Sequence, residues 1–270
     1  MEIISSNKNE RIKNIAALQK SKKARTEQGV FVAEGLRIAR DVFKSALDLT
    51  ESVFLSETFW NNMGWNEYPE LAVLGFDAQD QPFSLTVVKD NVFEGMCETV
   101  TPQGILCVVR QPDYAYEKDM QGRDGIQKLL ILEDIQDPGN LGTMVRTAEA
   151  AGMNGIILSK GCADIFSPKV TRSTMGAIFR VPFIYTDNLP LMLDRLKTEG
   201  IDICAAYLKD GEDYRKMHFE ARTAIMIGNE GNGLSDRAVA HASRNVFIPM
   251  AGEVESLNAA VAAALLMYAL

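Results

Sequence analysis

The sequence predicts an α/β protein with a mostly parallel sheet covered by helices on both faces, preceded by a smaller α/β unit. Three observations predict it. From residue 127 onward, short apolar runs alternate with helical patterns, as they do where parallel strands are joined by helical crossovers. Residues 1–110 mix strand-like and helical patterns less regularly. Between the two, residues 110–125, RQPDYAYEKDMQGRDG, are polar, charged and glycine-bearing, as linkers are. A chain of 270 residues with 47% hydrophobic content has enough apolar side chains to fill two cores.

In the first unit, residues 7–49 read as helical, basic at first and then amphipathic around Leu36, Ala39, Val42 and Phe43. Apolar runs at 52–55, 71–74 and 105–109 predict strands. The linker is set at 111–126. In the second unit, strands are predicted at 128–134, 155–158, 181–185, 203–207, 223–227 and 245–249, and helices at 167–178, 189–198, 235–242 and 256–270. A further helix begins at Asn140 as N-cap and is terminated by Gly152. Leu141, Val145 and Ala148 form its buried stripe, and Arg146 shares the polar face with Thr143 and Ala150.

The formal net charge is −8, yet residues 1–25 hold seven basic side chains (Lys8, Arg11, Lys13, Lys20, Lys22, Lys23, Arg25) against Glu2 and Glu10. That local balance of +5 leaves −13 for the remainder. On its own a basic run reads as a solvated helix face, or as a grip for a polyanion. The four cysteines stand singly with no CxxC pair, and His218 and His241 lie far from them, so free buried thiols are expected and metal is not. The most apolar stretch, 259–270, is shorter than a membrane span, and no leader-like segment opens the chain, so a cytoplasmic protein without membrane association is expected.

Three loops follow apolar runs and precede helices: QDPGN after Leu132, GNEGNGLS after Ile227 and AGEVESLN after Met250. In parallel sheets ligands bind beyond the carboxyl ends of strands, so these loops mark the place for chemistry. Their small residues admit close approach to backbone, and their amides and carboxylates offer directed hydrogen bonds. Gly228, Gly231 and Gly233 run as GxxGxG rather than GxGxxG, and no GxxxxGK[ST] loop occurs, which excludes the common nucleotide folds.

In those segments the sequence resembles the SpoU (TrmH) family of RNA ribose 2′-O-methyltransferases, of the SPOUT class. The first family motif is matched by Asn140, Gly142, Arg146 and Ala148 in PGNLGTMVRTAEAAG, the second by IGNEGNGLS at 227–235, and the third by IPMAGEVESLNAAVAAAL at 248–265. Ala259 and Ala260 stand where the family often has valine and a small polar residue. More loosely, GVFVAEGLRIARDV at 29–42 and TPQGILCVV at 101–109 are similar to the ribosomal-protein-like α/β domain that many of these enzymes use to bind substrate.

The resemblance implies a trefoil knot in the carboxyl-terminal part of the fold, a homodimer, and S-adenosylmethionine held at positions matching Gly228, Ile248, Met250 and Leu257, with Asn229, Gly231 and Leu234 shaping the wall. It makes ribosomal RNA the expected substrate, with transfer RNA as the alternative. A catalytically silent RNA-binding or ribosome-assembly factor of the same fold is the rival. It assigns the basic segment (Lys8, Arg11, Lys13, Lys20, Lys22, Lys23, Arg25) to RNA. It also implies catalytic roles for Arg146, Asn140, Glu230, Ser256 and Asn258. A guanidinium rarely gives up its proton in proteins, so for Arg146 stabilisation of developing alkoxide and phosphate anchoring are expected in preference to general-base work. Asn140 and Asn258 are expected to fix positions by amide hydrogen bonds, Glu230 to orient the arginine or an asparagine, and Ser256 to contact ribose or phosphate or to cap the last helix.

Overall fold

The computed structural model describes residues 3–62, 68–75 and 82–270, and these divide into two compact units: the described residues up to Pro112 together with 164–179, and residues 113–163 with 180–270. Each is built on one sheet.

The first unit contains β1 (Ile3–Ile4), α1 (Glu10–Lys20), α2 (Lys22–Gln28), β2 (Val30–Glu34), α3 (Leu36–Ser45), β3 (Thr50–Ser56), α4 (Glu57–Asn61), β4 (Ser84–Val88), α5 (Asp90–Met96) and β5 (Ile105–Arg110). The strand order is β1-β4-β3-β5-β2. β4 is parallel to β1 and β3, whereas β5 is antiparallel to β3 and β2. The helical reading of 7–49 is corrected by β2. All five of its residues are buried, so they carry no period-2 alternation to set them apart from a helix. Local chemistry marks the break: Asn9 caps α1, Ser21 caps α2, and Gly29 ends α2 in the left-handed region at φ 64°. The run at 71–74 is a 3₁₀ segment, Pro69–Gly75, rather than a strand, with Leu71 buried. A four-residue apolar run does not separate the two, and the strand next to β3 is instead β4.

The second unit contains α6 (Tyr116–Asp119), β6 (Gln127–Leu132), α7 (Pro138–Ala150) and β7 (Gly155–Ser159); α8 (Pro168–Ser173), next in the chain, belongs to the first unit. It continues with β8 (Phe183–Thr186), α9 (Leu189–Thr198), β9 (Asp202–Ala206), β10 (Glu212–Asp213), β11 (Arg222–Ile227), α10 (Asp236–Val239), β12 (Arg244–Phe247) and α11 (Ala259–Ala269). The order is β10-β12-β9-β11-β6-β7-β8 and every pairing is parallel. The predicted strands therefore fall where the sequence places them. The near-continuous apolar runs of β6, β7 and β11 reflect a sheet covered on both faces.

Several stretches depart from the reading: the helix expected at 235–242 is α10 alone, and the one expected from 256 starts at Ala259. The helix expected at 167–178 is α8 alone, followed by left-handed Met175 and Gly176 and a 3₁₀ turn, Ala177–Phe179. The polar stretch 111–126 is anchored in part, because Tyr116 and Met120 are buried in the second unit's core and the Tyr116 hydroxyl donates to Glu199 at 2.7 Å. Among the described residues no helix is long and apolar enough to cross a membrane, and no group of three or more His, Cys, Asp or Glu could hold a metal ion.

Candidate functional site

The helix that carries Arg146 begins earlier than the sequence suggests. Asp137, rather than Asn140, is its N-cap: the Asp137 carboxylate accepts from the Asn140 N–H at 2.8 Å, and Pro138 occupies the first turn, where a missing N–H costs nothing. Asn140 therefore sits inside the first turn with its amide free for other work. Leu141, Val145 and Ala148 are fully buried as expected, and Gly152 closes the helix at φ 69°.

The released Asn140 amide is the middle of a relay. The Asn258 Nδ2 donates to Asn140 Oδ1 at 3.0 Å, and Asn140 Nδ2 donates to Glu230 Oε1 at 3.1 Å. Glu230 also accepts from the main-chain N–H groups of Gln136 at 3.1 Å and Asp137 at 3.0 Å. Burial pushes the Glu230 carboxyl up, but the bonds from Asn140, Gln136 and Asp137 outweigh it and leave the group below the ordinary carboxylate range. Asn258 does a second job at its other end: its Oδ1 caps α11 by accepting from Ala260 and Val261 N–H. Ser256 is exposed in the preceding loop and is not that cap.

The glycine-rich loop after β11 closes on itself. Asn229 and Gly233 exchange main-chain bonds at 3.0 and 2.9 Å, and the Asn229 Oδ1 accepts from Gly231 and Asn232 N–H. Asn229 Nδ2 reaches the Asp134 carbonyl at 2.8 Å, which ties this loop to the one after β6. Gly228 is obligatory. A Cβ there would lie 2.2 Å from the Gly233 carbonyl carbon and the Leu234 nitrogen, both backbone atoms.

Beyond the carboxyl ends of β11, β9 and β12 lies a cavity of about 710 Å³, in the usual range for a small-molecule site. Six of the seven expected cofactor positions line it: Gly228, Asn229, Gly231, Ile248, Met250 and Leu257. Leu234 does not; it is buried in the apolar core and supports the wall from behind. Of the expected catalytic residues, Glu230 and Ser256 line the cavity, and Asn140 and Asn258 join it through Glu230. Arg146 is not among its lining residues. It is exposed and makes no hydrogen bond or ion pair among the described residues. Sequence reasoning missed Tyr207 and Leu208, which line the cavity from the end of β9. The strand-end rule pointed there, but that loop, YLKDG, lacks the asparagine that marks the other three.

The expected RNA residues divide. Lys8, Arg11, Lys13, Lys20, Lys22 and Lys23 are exposed on or beside α1 and α2, with Lys13 paired to Glu10 and Arg11 stacked over the Phe54 ring. Arg25 is a correction. It is 4% exposed, its guanidinium is paired with Asp164 at 2.6 Å, and it donates to the Leu18 and Gln19 carbonyls, so it holds the fold and is closed to phosphate. A basic residue's burial cannot be read from a charge run.

Comparison with known proteins gives two family matches: the SpoU rRNA methylase family over residues 127–268, and the MRM3-like substrate binding domain over residues 9–107. The chain is 34% identical, over 99% of its length and 98% of the relative's, to the 23S rRNA (guanosine(2553)-2′-O)-methyltransferase RlmP of Bacillus subtilis. It is 31% identical, over 98% of its length and 92% of the relative's, to an uncharacterized tRNA/rRNA methyltransferase of Synechocystis. Among solved structures, an AdoMet-bound rRNA methyltransferase from Sinorhizobium meliloti matches with a TM-score of 0.85 at 27% identity, covering 99% of this chain and 96% of that one.

Proposed function

The chain belongs to the SpoU rRNA methylase family, and from that premise we propose that it is an S-adenosylmethionine-dependent ribose 2′-O-methyltransferase acting on ribosomal RNA. The observation that carries the site assignment is the Asn258–Asn140–Glu230 relay, which ends at Glu230 in the wall of a cavity of about 710 Å³ at the ends of parallel strands. The cavity suits the cofactor: Ile248, Met250 and Leu257 offer apolar surface, and Gly228 lets the Asn229–Gly233 loop close into a fixed wall, because a Cβ there would meet the Gly233 and Leu234 backbone. When bound, S-adenosylmethionine supplies an electrophilic methyl group.

The chain's own task is the nucleophile. A ribose hydroxyl attacks well only when it is held in line and its growing negative charge is met by a donor. We assign the second role to Arg146, whose open guanidinium has its donors available, and the first to the relay, with Ser256 contacting ribose or phosphate. The proton passes to phosphate or water.

A homodimer completes this reading. Val261, Leu265 and Tyr268 form an exposed apolar stripe on α11, with Tyr268 66% exposed, and α11 packs on α7, the helix of Arg146. Pairing through the stripe would bring Arg146 beside the partner. The family's trefoil knot is assigned to the segment from β11 to α11. In support, β12 lies beyond β9 in the sheet, and α11 returns to pack on β11. Substrate binding is assigned to the first unit, through the exposed Lys8, Arg11, Lys13, Lys20, Lys22 and Lys23, and methyl transfer to the second, residues 113–163 and 180–270. A ribosomal RNA substrate places the work in the cytoplasm.

The test is a nucleotide-resolution comparison of ribose methylation in cells with and without the protein. Loss of one mark in ribosomal RNA is expected. A mark lost from transfer RNA would move the substrate, and unchanged ribose methylation everywhere would overturn the proposal.

A further inference from the structure

The first unit carries a second cavity, of about 500 Å³, lined by Ser56, Thr58, Phe59, Asn62, Asp90, Phe93, Glu94, Pro102, Gln103 and Gly104. Its described lining holds no lysine or arginine, so it does not suit a phosphate. It has two aromatic rings, two carboxylates, two amides and two hydroxyls, which is the chemistry of an uncharged, hydrogen-bonding planar ligand.

Its polar ends differ in how far they are already engaged. Asp90 is already engaged through both oxygens: its carboxylate accepts from the Thr58 N–H at 3.0 Å and the Thr58 hydroxyl at 2.6 Å. The Gln103 Oε1 is taken by the Leu36 N–H at 2.8 Å, which leaves the Nε2 donors open. The Glu94 carboxylate and the Asn62 amide make no hydrogen bond or ion pair among the described residues. One strong acceptor and two amides therefore remain for a ligand.

The loop that forms one rim, residues 97–104, is fixed in advance. The buried Glu34 carboxylate accepts from the Glu98 N–H at 2.8 Å, the Thr99 N–H at 3.1 Å and the Thr99 hydroxyl. Gly104, at φ 81°, lies so close to the floor that a Cβ would stand 2.6 Å from Phe59 Cβ and 2.8 Å from Ser56 Oγ. On this braced loop Val100, two residues before Pro102, is 99% exposed. A buried carboxylate spent on ordering an exposed apolar tip beside a polar cavity is preorganisation for a partner.

We propose that this cavity receives one unstacked nucleobase of the RNA substrate, with its amino-bearing edge on Glu94, its acceptors on Gln103 and Asn62, its ring against Phe59, and Val100 packed on the neighbouring nucleotide. This rests on the reading of the chain as an RNA methyltransferase, and gives the substrate-binding unit a base-reading pocket separate from the phosphate-attracting lysines of α1 and α2. Guanine offers a ring N–H beside its amino group, and cytosine and adenine offer one amino group each; uracil has no amino group and a single ring N–H.

The test titrates the full chain with a 23S rRNA transcript at several salt concentrations. Glu94→Gln, at an exposed position that supports no other group, is expected to weaken binding about tenfold while leaving the salt slope unchanged, because a base contact releases no counterions. Binding of this variant as tight as wild type, or a changed slope, overturns the pocket. In a second measurement, amide resonances of Thr58 and Gln103 are expected to shift and saturate with guanosine or cytidine and far less with uridine; no saturable shift, or equal shifts with all three, also overturns it. Failure of the wild type itself to bind the transcript would sink the underlying reading instead, which separates the two.

Discussion

Asn140 and Arg146 stand on one helix, fewer than two turns apart, and are built into the molecule in opposite ways. Asn140 is held on both sides, by Asn258 and by Glu230, in a first turn that Asp137 caps. Arg146 is exposed and makes no hydrogen bond or ion pair among the described residues. The difference teaches a division of labour. Groups that set geometry are partnered before any substrate arrives, at no reorganisation cost during reaction. On the proposed mechanism, the group that meets new charge keeps its donors open.

The sharpest way to break the locked side is Gly228→Ala. The added carbon would meet only backbone, which cannot swing aside, so cofactor affinity is expected to fall by at least about a hundredfold in a calorimetric titration. Affinity within a few-fold of wild type would show that the glycine loop does not form the cofactor wall.

A smaller effect is expected from Glu230→Gln, which removes the charge but keeps one acceptor for Asn140: methyl transfer should drop by about 10–100-fold in single turnover. The pH dependence sharpens the point. The folded Glu230 value lies below the unfolded one, so its contribution is complete above the ordinary carboxylate value and is lost only as pH falls through the lowered folded value. Between about pH 6 and 8, wild type and Glu230→Gln rates should therefore run parallel, and a limb present only in the wild type would contradict the assignment.

The mildest perturbation separates the two jobs of Asn258. Asn258→Ala loses the α11 cap, which is worth about 1 kcal/mol, and should lower Tm by about 2–4 °C. Asn258→Asp keeps the cap and loses the donor to Asn140, so thermal stability should recover while turnover does not. Recovery of both would mean that the relay has no function beyond capping.

The second unit was legible in its strands because a parallel sheet covered on both faces writes each strand as an apolar run between turns; of the three polar loops, those after β11 and after Met250 line one cavity, and the loop after β6 reaches it only through hydrogen bonds. The first unit was less so. β2 is buried throughout and looked like more helix, the run at 71–74 was too short to classify, and the linker hid Tyr116 and Met120, core residues among charges. At the site, a glycine and amide signature located the loops, but which atoms meet is a matter of three dimensions. Nothing in the spacing of Asn140, Glu230 and Asn258 shows that one amide bridges the other two, nor that Arg25 turns inward to Asp164 while its basic neighbours stay in water.

The most direct test of the division of labour is Arg146→Ala, read by single-turnover methyl transfer to ribosomal RNA together with cofactor affinity. Transfer is expected to fall by about a thousandfold, with S-adenosylmethionine binding within about twofold of wild type. A purified variant that transfers methyl groups at a near-normal rate would contradict the account.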